Sequence, residues 1–254
     1  MKKYISVLVA MGLFLALSSF AFAGTTPATG IVGSVHDLSS AGGGAAYGDN
    51  GEQGGLDRIC IYCHAPHNTI KTGNAGWGQV SYYPLWNHAV STILSYDTYT
   101  NGPDAPSSLI QHGLQAVLDG NNVKGVSRLC LSCHDGSVAP NVFGFNGASS
   151  TTTAATSRGP LTGGYQIGLG GDLSNHHPIG FDFASVLAVD DEIATPDTQF
   201  LGYNPTGLTI GEVLWNGKME CSTCHDVHNT KSQGTKFTWV SDEQSQLCLS
   251  CHLK

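Results

Sequence analysis

Several residue types are scarce in this chain of 254 residues, and each shortage narrows its function. Lysine and arginine total 11 against 19 acidic residues, a formal net charge of −8. So acidic a surface argues against nucleic acid and against anionic lipid, and suits cationic partners, metal ions or mineral surfaces without selecting among them. Ile, Leu, Val and Phe together make under a quarter of the chain, near the level at which a chain struggles to bury a core. Glycine, with 33 residues, fills the difference with Ser and Thr, so much of the backbone reads as loop. Beyond the N-terminal run no segment is long and apolar enough to span a bilayer. Methionine is almost missing, and Met219 is the only one beyond Met11. No Walker loop, activated nucleophile or paired-carboxylate constellation stands out.

The N-terminus carries Lys2 and Lys3, an apolar run from Tyr4 to about Leu17, and Ala21-Phe22-Ala23. This is a secretory signal pattern over residues 1–23 with cleavage before Gly24, although the run approaches the length of an uncleaved anchor. Removal of Lys2 and Lys3 takes the net charge from −8 to −10. The remainder, 24–254, is read as a single domain.

What the chain does have is Cys-x-x-Cys-His, four times: Cys60 to His64, Cys130 to His134, Cys221 to His225 and Cys248 to His252. The eight cysteines are used up in these motifs. Pairs of Cys-x-x-Cys could build two four-cysteine zinc sites, and an exported chain could form disulfides, but neither explains the histidine after every pair. The pattern is that of covalent haem c: two thiols add to the vinyl groups of one haem and the adjacent imidazole binds its iron. Cys60, Cys63, Cys130, Cys133, Cys221, Cys224, Cys248 and Cys251 are therefore the attachment residues of four haems, and His64, His134, His225 and His252 the proximal ligands. Eight propionates add further negative charge, and four macrocycles supply the apolar volume that the side chains lack, so folding and haem attachment are expected to be one event.

An internal repeat organises the chain. Cys60-Ile61-Tyr62-Cys63-His64-Ala65-Pro66-His67-Asn68-Thr69 matches Cys221-Ser222-Thr223-Cys224-His225-Asp226-Val227-His228-Asn229-Thr230, and Leu129 to His134 is identical to Leu247 to His252. The protein thus holds two haem-pair units, 60–134 and 221–252. Ser39 to Gly55 and Asn146 to Gly171 read as surface loops. Ser108 to Leu118 reads as a helix, and Ser241 with Gln244 has the capping-box spacing of a helix carrying Cys248, Cys251 and His252 on one face. Short helices are expected at each motif. Asp49 to Glu52 and Asp119 to Asn122 have calcium-loop composition without its ligand periodicity.

The sixth iron ligand decides between electron transfer and catalysis. Met219, two residues before Cys221, is badly placed to cross to the far face of that haem, so at most one haem could be His/Met. Seven histidines remain: His36, His67, His88, His112, His176, His177 and His228. His67 and His228 each lie three residues after a proximal histidine, on the same side, so neither serves that haem and each should reach another. Pro178 extends the backbone at His177, which favours His177 over His176. His36 precedes a glycine-rich loop that gives it reach. His88, beside Trp86, is balanced between ligand and packed aromatic neighbour, and His112 reads as an ordinary polar position. Asp135 and Asp226, directly after proximal histidines, read as solvated in preference to orienting an imidazole.

The segments Ser34 to Ser39, Cys60 to Asn68, Pro84 to His88, Leu129 to Gly136, His176 to Gly180 and Leu247 to His252, in that order, resemble the OmcE-like extracellular tetrahaem cytochromes within the broader doubled-CxxCH cytochromes. The resemblance covers nearly all of 36–254. It implies a multihaem cytochrome c fold, mostly coil with short helices wrapped around four covalently attached haems, with bis-His ligation by the distal set His36, His67, His177 and His228. It also implies self-association into a filament in which one subunit lends a histidine to the next. Val227 in place of Pro66, and the extra His176, depart from the pattern. The expected function is electron transfer and not catalysis, to redox partner proteins and external acceptors such as metal oxides or other cells. Placement at the outer surface or outside the cell is expected, with a periplasmic shuttle or a small reductase as rivals. Only Leu253 and Lys254 follow His252, so the fourth haem is expected near a surface.

Overall fold

The computed structural model describes residues 27–48, 58–67, 85–99, 123, 125–143, 159–234 and 236–253. The leader over 1–23, the helix expected over Ser108 to Leu118 with His112, and both calcium-like loops lie outside the described residues.

Regular structure among these residues is sparse. Helix α1 spans Ser127–His134, α2 Phe183–Leu187, α3 Ile210–Val213, α4 Cys221–Cys224 and α5 Gln246–Leu249. Strands β1 (Asp97–Thr98) and β2 (Asp172–Leu173) form a two-residue parallel ladder with Asp97 opposite Asp172. The expected architecture, coil with short helices, matches this element content. No helix among the described residues is long and apolar enough to cross a membrane.

Helices of four or five residues do not stand alone, because nucleation costs more than so few bonds return. In α2 and α3 side chains satisfy the first turn and burial holds the helix. Asp182 accepts from Ser185 N at 2.8 Å ahead of α2, and Thr209 N donates to Glu212 Oε2 at 2.8 Å across the start of α3. Phe183, Val186, Ile210 and Val213 are then buried from these two helices. The largest cluster joins Phe183, Phe200, Leu208, Ile210, Val213 and Val240. Two smaller clusters, Trp86 with Leu129 and Tyr96 with Val123, Leu131 and Leu173, serve the first unit. The apolar content is thus divided among small clusters.

Two local expectations are corrected. The capping box at Ser241 and Gln244 does not form: Gln244 (φ 55°) and Ser245 (φ 60°) are left-handed, and Ser241 Oγ accepts from Glu243 N at 3.2 Å. Two consecutive left-handed residues cannot continue a right-handed helix, so α5 begins only at Gln246. The glycine-rich stretch after Ser39 is no reach-giving loop where it is described. Gly44 N donates to Asp37 O at 3.0 Å, and a Cβ at Gly42, Gly44 or Gly48 would collide with the 35–38 backbone or side chains. These glycines allow close packing. The described part of the second loop, 159–171, does run at the surface, with Tyr165 and Leu169 exposed.

Ile210 is wholly buried at the centre of the main cluster. Ile210→Ala should lower the stability of the haem-loaded protein by roughly 2–5 kcal/mol, measured by guanidinium unfolding.

Candidate haem sites

Each Cys-x-x-Cys-His motif is closed by a bond from the histidine amide back to the first cysteine. His64 N reaches Cys60 O at 2.7 Å, His225 N reaches Cys221 O at 3.1 Å and His252 N reaches Cys248 O at 3.0 Å. The remaining motif, Cys130 to His134, lies wholly within α1. One helical turn brings both sulfurs and the imidazole to the same side of the backbone, as a single macrocycle requires. The eight thiols form no disulfide, and among the described residues no three Cys, His, Asp or Glu side chains converge to hold a bare metal ion. The zinc and disulfide alternatives therefore have no geometry here.

The imidazoles come in opposed pairs. Ring centroids lie 6.1 Å apart for His36 and His134, 6.2 Å for His64 and His228, and 6.2 Å for His177 and His252. Two imidazoles on opposite faces of one metal, each bonded at about 2 Å, place their centroids roughly 6 Å apart. The donor set and spacing therefore fit an iron between each pair. Backbone carbonyls occupy the other ring nitrogens: His134 Nδ1 donates to Tyr165 O at 2.8 Å, His177 Nδ1 to Pro178 O at 2.9 Å and His225 Nδ1 to Lys236 O at 2.9 Å. This fixes the tautomer that leaves Nε2 for a metal.

His177, with the proline-extended backbone, takes the place opposite His252, and His176 does not. His36 stacks on Phe237 at 4.9 Å, and burial, then the nearby His134, hold its pKa down to about 4 against a backbone contact from Val227. A neutral ring is the form that binds iron. His67 is exposed, and neither it nor His225 forms an opposed pair among the described residues. His88 takes the packed place: it is fully buried beside Trp86, with Nδ1 against Ala89 O and Nε2 3.0 Å from Ala139 O. Met219 is buried, its amide bonded to Phe181 O at 3.0 Å.

Successive motifs are neighbours. Cys63 acts electrostatically on Cys133, Cys130 shares a thiol contact with Cys221, and Cys224 feels Cys251 and Cys248. Burial is the main cause that pushes the Cys63 thiol up to about 11 and the Cys224 thiol up to about 12, as expected for sulfurs enclosed among apolar groups. Cys60 and Cys248, the outermost sulfurs of the first and fourth motifs, are exposed.

Asp135 and Asp226 are not solvated, which corrects the reading from sequence. Both are buried, and neither bonds to the imidazole before it. Asp135 accepts from Tyr96 OH at 2.7 Å, Ser137 N at 2.9 Å and Ser91 Oγ. Glu220 and Ser127 were invisible in the sequence. The buried Glu220 carboxylate accepts from Ser127 N at 3.2 Å and from Ser127 Oγ, which itself accepts from Cys221 N at 2.9 Å. A Cβ at Gly125 would collide with Glu220 Oε1, so the glycine admits the carboxylate. This clamp joins the start of α1 to the start of α4, one helix from each haem-pair unit. Its only sequence signal is an acid placed directly before a motif.

Glu220 Oε1 is buried without a hydrogen-bond partner, and burial holds the carboxyl above its usual range against the Ser127 donors. A carboxyl so raised binds its proton more tightly in the folded chain. Its contribution to stability is full below a pH of about 4.3 and is lost as pH rises through the folded-state value. Glu220→Gln cannot ionise, so it should show a flatter pH dependence above about 4.3 and greater stability than wild type at neutral pH. Unfolding midpoints across that range check this, and parallel curves for the two proteins would refute it.

Residues 215–254 match the family described as a doubled CXXCH motif. No curated protein matches the chain. The matched segment contains the whole of the second haem-pair unit, and the first repeats its motifs. The chain carries the doubled motif of multihaem c-type cytochromes, which supports covalently bound haem c and a role in electron transfer.

Proposed function

We propose that the protein is a tetrahaem electron carrier with imidazole on both faces of every iron, assembled into an extracellular filament that delivers electrons to external acceptors. The observation that carries this reading is the set of three opposed pairs at 6.1–6.2 Å, each joining an attachment-motif histidine to a second imidazole distant in sequence or across a unit boundary. Haem supplies the one-electron chemistry when bound. Imidazole ligands, with no methionine opposite them, keep its potential low. The neighbouring sulfurs of successive motifs support an electron path from the first site to the fourth, and the exposed Cys60 and Cys248 leave the outer sites open to partners. The acidic surface favours cationic redox proteins or metal oxides as partners.

Filament assembly has its own support. Among the described residues His225 has a locked tautomer but no opposing imidazole, and His67 is exposed and unopposed. His67 of one copy is therefore assigned to the His225 site of the next. The same observation favours a second reading, in which the iron at His225 stays open and binds a small molecule in a reductase or a soluble shuttle.

Wild-type protein from the secreted fraction should form filaments under negative stain, with every haem low-spin in the resting oxidised state. His67→Ala should retain four haems by mass yet remain as discrete particles with one haem high-spin. Persisting filaments in this variant would overturn the intersubunit assignment. A high-spin haem in the assembled wild type would favour the open-site reading.

A further inference from the structure

Asp226 and Ala65 occupy the same place in the two repeats, each directly after an attachment histidine and two residues before a second one. Their surroundings differ. The buried Asp226 carboxylate gathers the turn that follows it: Oδ1 accepts from His228 N at 3.2 Å, and Oδ2 accepts from Thr230 N at 2.7 Å, Lys231 N at 2.7 Å and Thr230 Oγ1 at 3.1 Å. The main chain closes the same turn, with Asp226 N on Phe237 O at 2.6 Å and Asn229 N on Asp226 O at 2.9 Å. Asn229 is left-handed (φ 52°), and its side chain ties the turn to the N-terminal segment through Ala28 N at 3.1 Å and Gly30 O at 3.0 Å. The turn presents His228 6.2 Å from His64.

In the first repeat Ala65 offers no side-chain acceptor. His67 follows at the same spacing but is exposed and faces no second imidazole among the described residues. The attachment motif, the spacing and the following asparagine are shared and Val227 replaces Pro66, but the Asp226 carboxylate is the one difference at these two positions that bonds to the turn carrying the histidine.

We propose that Asp226 is a positioning residue that fixes His228 at the iron of the Cys60 to His64 site, and that carboxylate or methyl at this repeat position decides whether the downstream histidine is presented internally. The inference rests on the bis-imidazole reading above. Asp226 touches no iron and acts through the backbone amides of 228–231. Loss of a supporting group behind a metal ligand lowers that ligand's hold on the order of 10–100-fold.

The experiment uses the full-length, haem-loaded protein and its optical and paramagnetic spectra, with His228→Ala as the control. Asp226→Ala should add about one haem equivalent of high-spin signal relative to wild type, as His228→Ala does, with haem content unchanged. Added imidazole should return both variants to the wild-type spectrum. Asp226→Asn, which keeps one acceptor oxygen, should show a smaller high-spin fraction, and it is scored alone if the alanine variant yields no loaded protein. An Asp226 variant with the wild-type spectrum, while His228→Ala opens one haem, overturns the inference. So does loss of ligation at several haems without rescue by imidazole, which marks a merely structural role. If His228→Ala itself opens no haem, the ligation reading fails instead.

Discussion

Pairs of imidazoles held with their centroids about 6 Å apart, the separation that suits one metal ion bonded by both, are the constraint around which the described part of this chain is organised. Here the apolar residues gather into small clusters beside the histidine pairs. Backbone carbonyls of Tyr165, Pro178 and Lys236 hold His134, His177 and His225 by the nitrogen that a metal does not need. An imidazole bonded in this way loses little freedom on meeting iron, because its orientation has been set by loop structure beforehand.

Buried carboxylates recur beside the motifs, and they are satisfied to different degrees. Asp135 is met by a tyrosine, two serines and their geometry, and Asp226 by the amides of its own turn. Glu220 has donors on one oxygen only. With one oxygen buried and unbonded, Glu220 favours its protonated form. The first two behave as fixed parts of the scaffold. Glu220 is different in kind, since it spans the two haem-pair units through Ser127 and Cys221.

Attachment was legible in the sequence because it is local chemistry: two sulfurs and an imidazole must lie within one turn, so the spacing cannot vary. The preference for His177 over His176 was legible for a similar reason, since Pro178 constrains its immediate predecessor. The pairing of His36 with His134 and of His64 with His228 was not. Such pairs are separated by about a hundred residues or more and are brought together by turns whose residues, Asn229 among them, carry no distinctive pattern. Asp135 and Asp226 were misread as solvated because an aspartate after a histidine looks the same whether or not a turn folds back to bond it. The helix expected from Ser241 failed because capping-box spacing says nothing about the left-handed residues that followed.

The repeats also show how similar segments are turned to different ends. In the second, a carboxylate folds the turn and His228 is presented to His64 within the chain, at an effective concentration set by covalent connection. In the first, the equivalent histidine is left exposed, and any ligand for His225 supplied by another copy must compete at the concentration of that copy. An intermolecular imidazole therefore needs help from the surrounding interface before it can match an internal one. A chain with all its pairs closed internally would gain nothing at its irons from a neighbour. On the filament reading, with three pairs formed and His225 unmatched among the described residues, occupancy of the last site is coupled to association itself, so that completion of the metal coordination and continuity of the electron path become the same event.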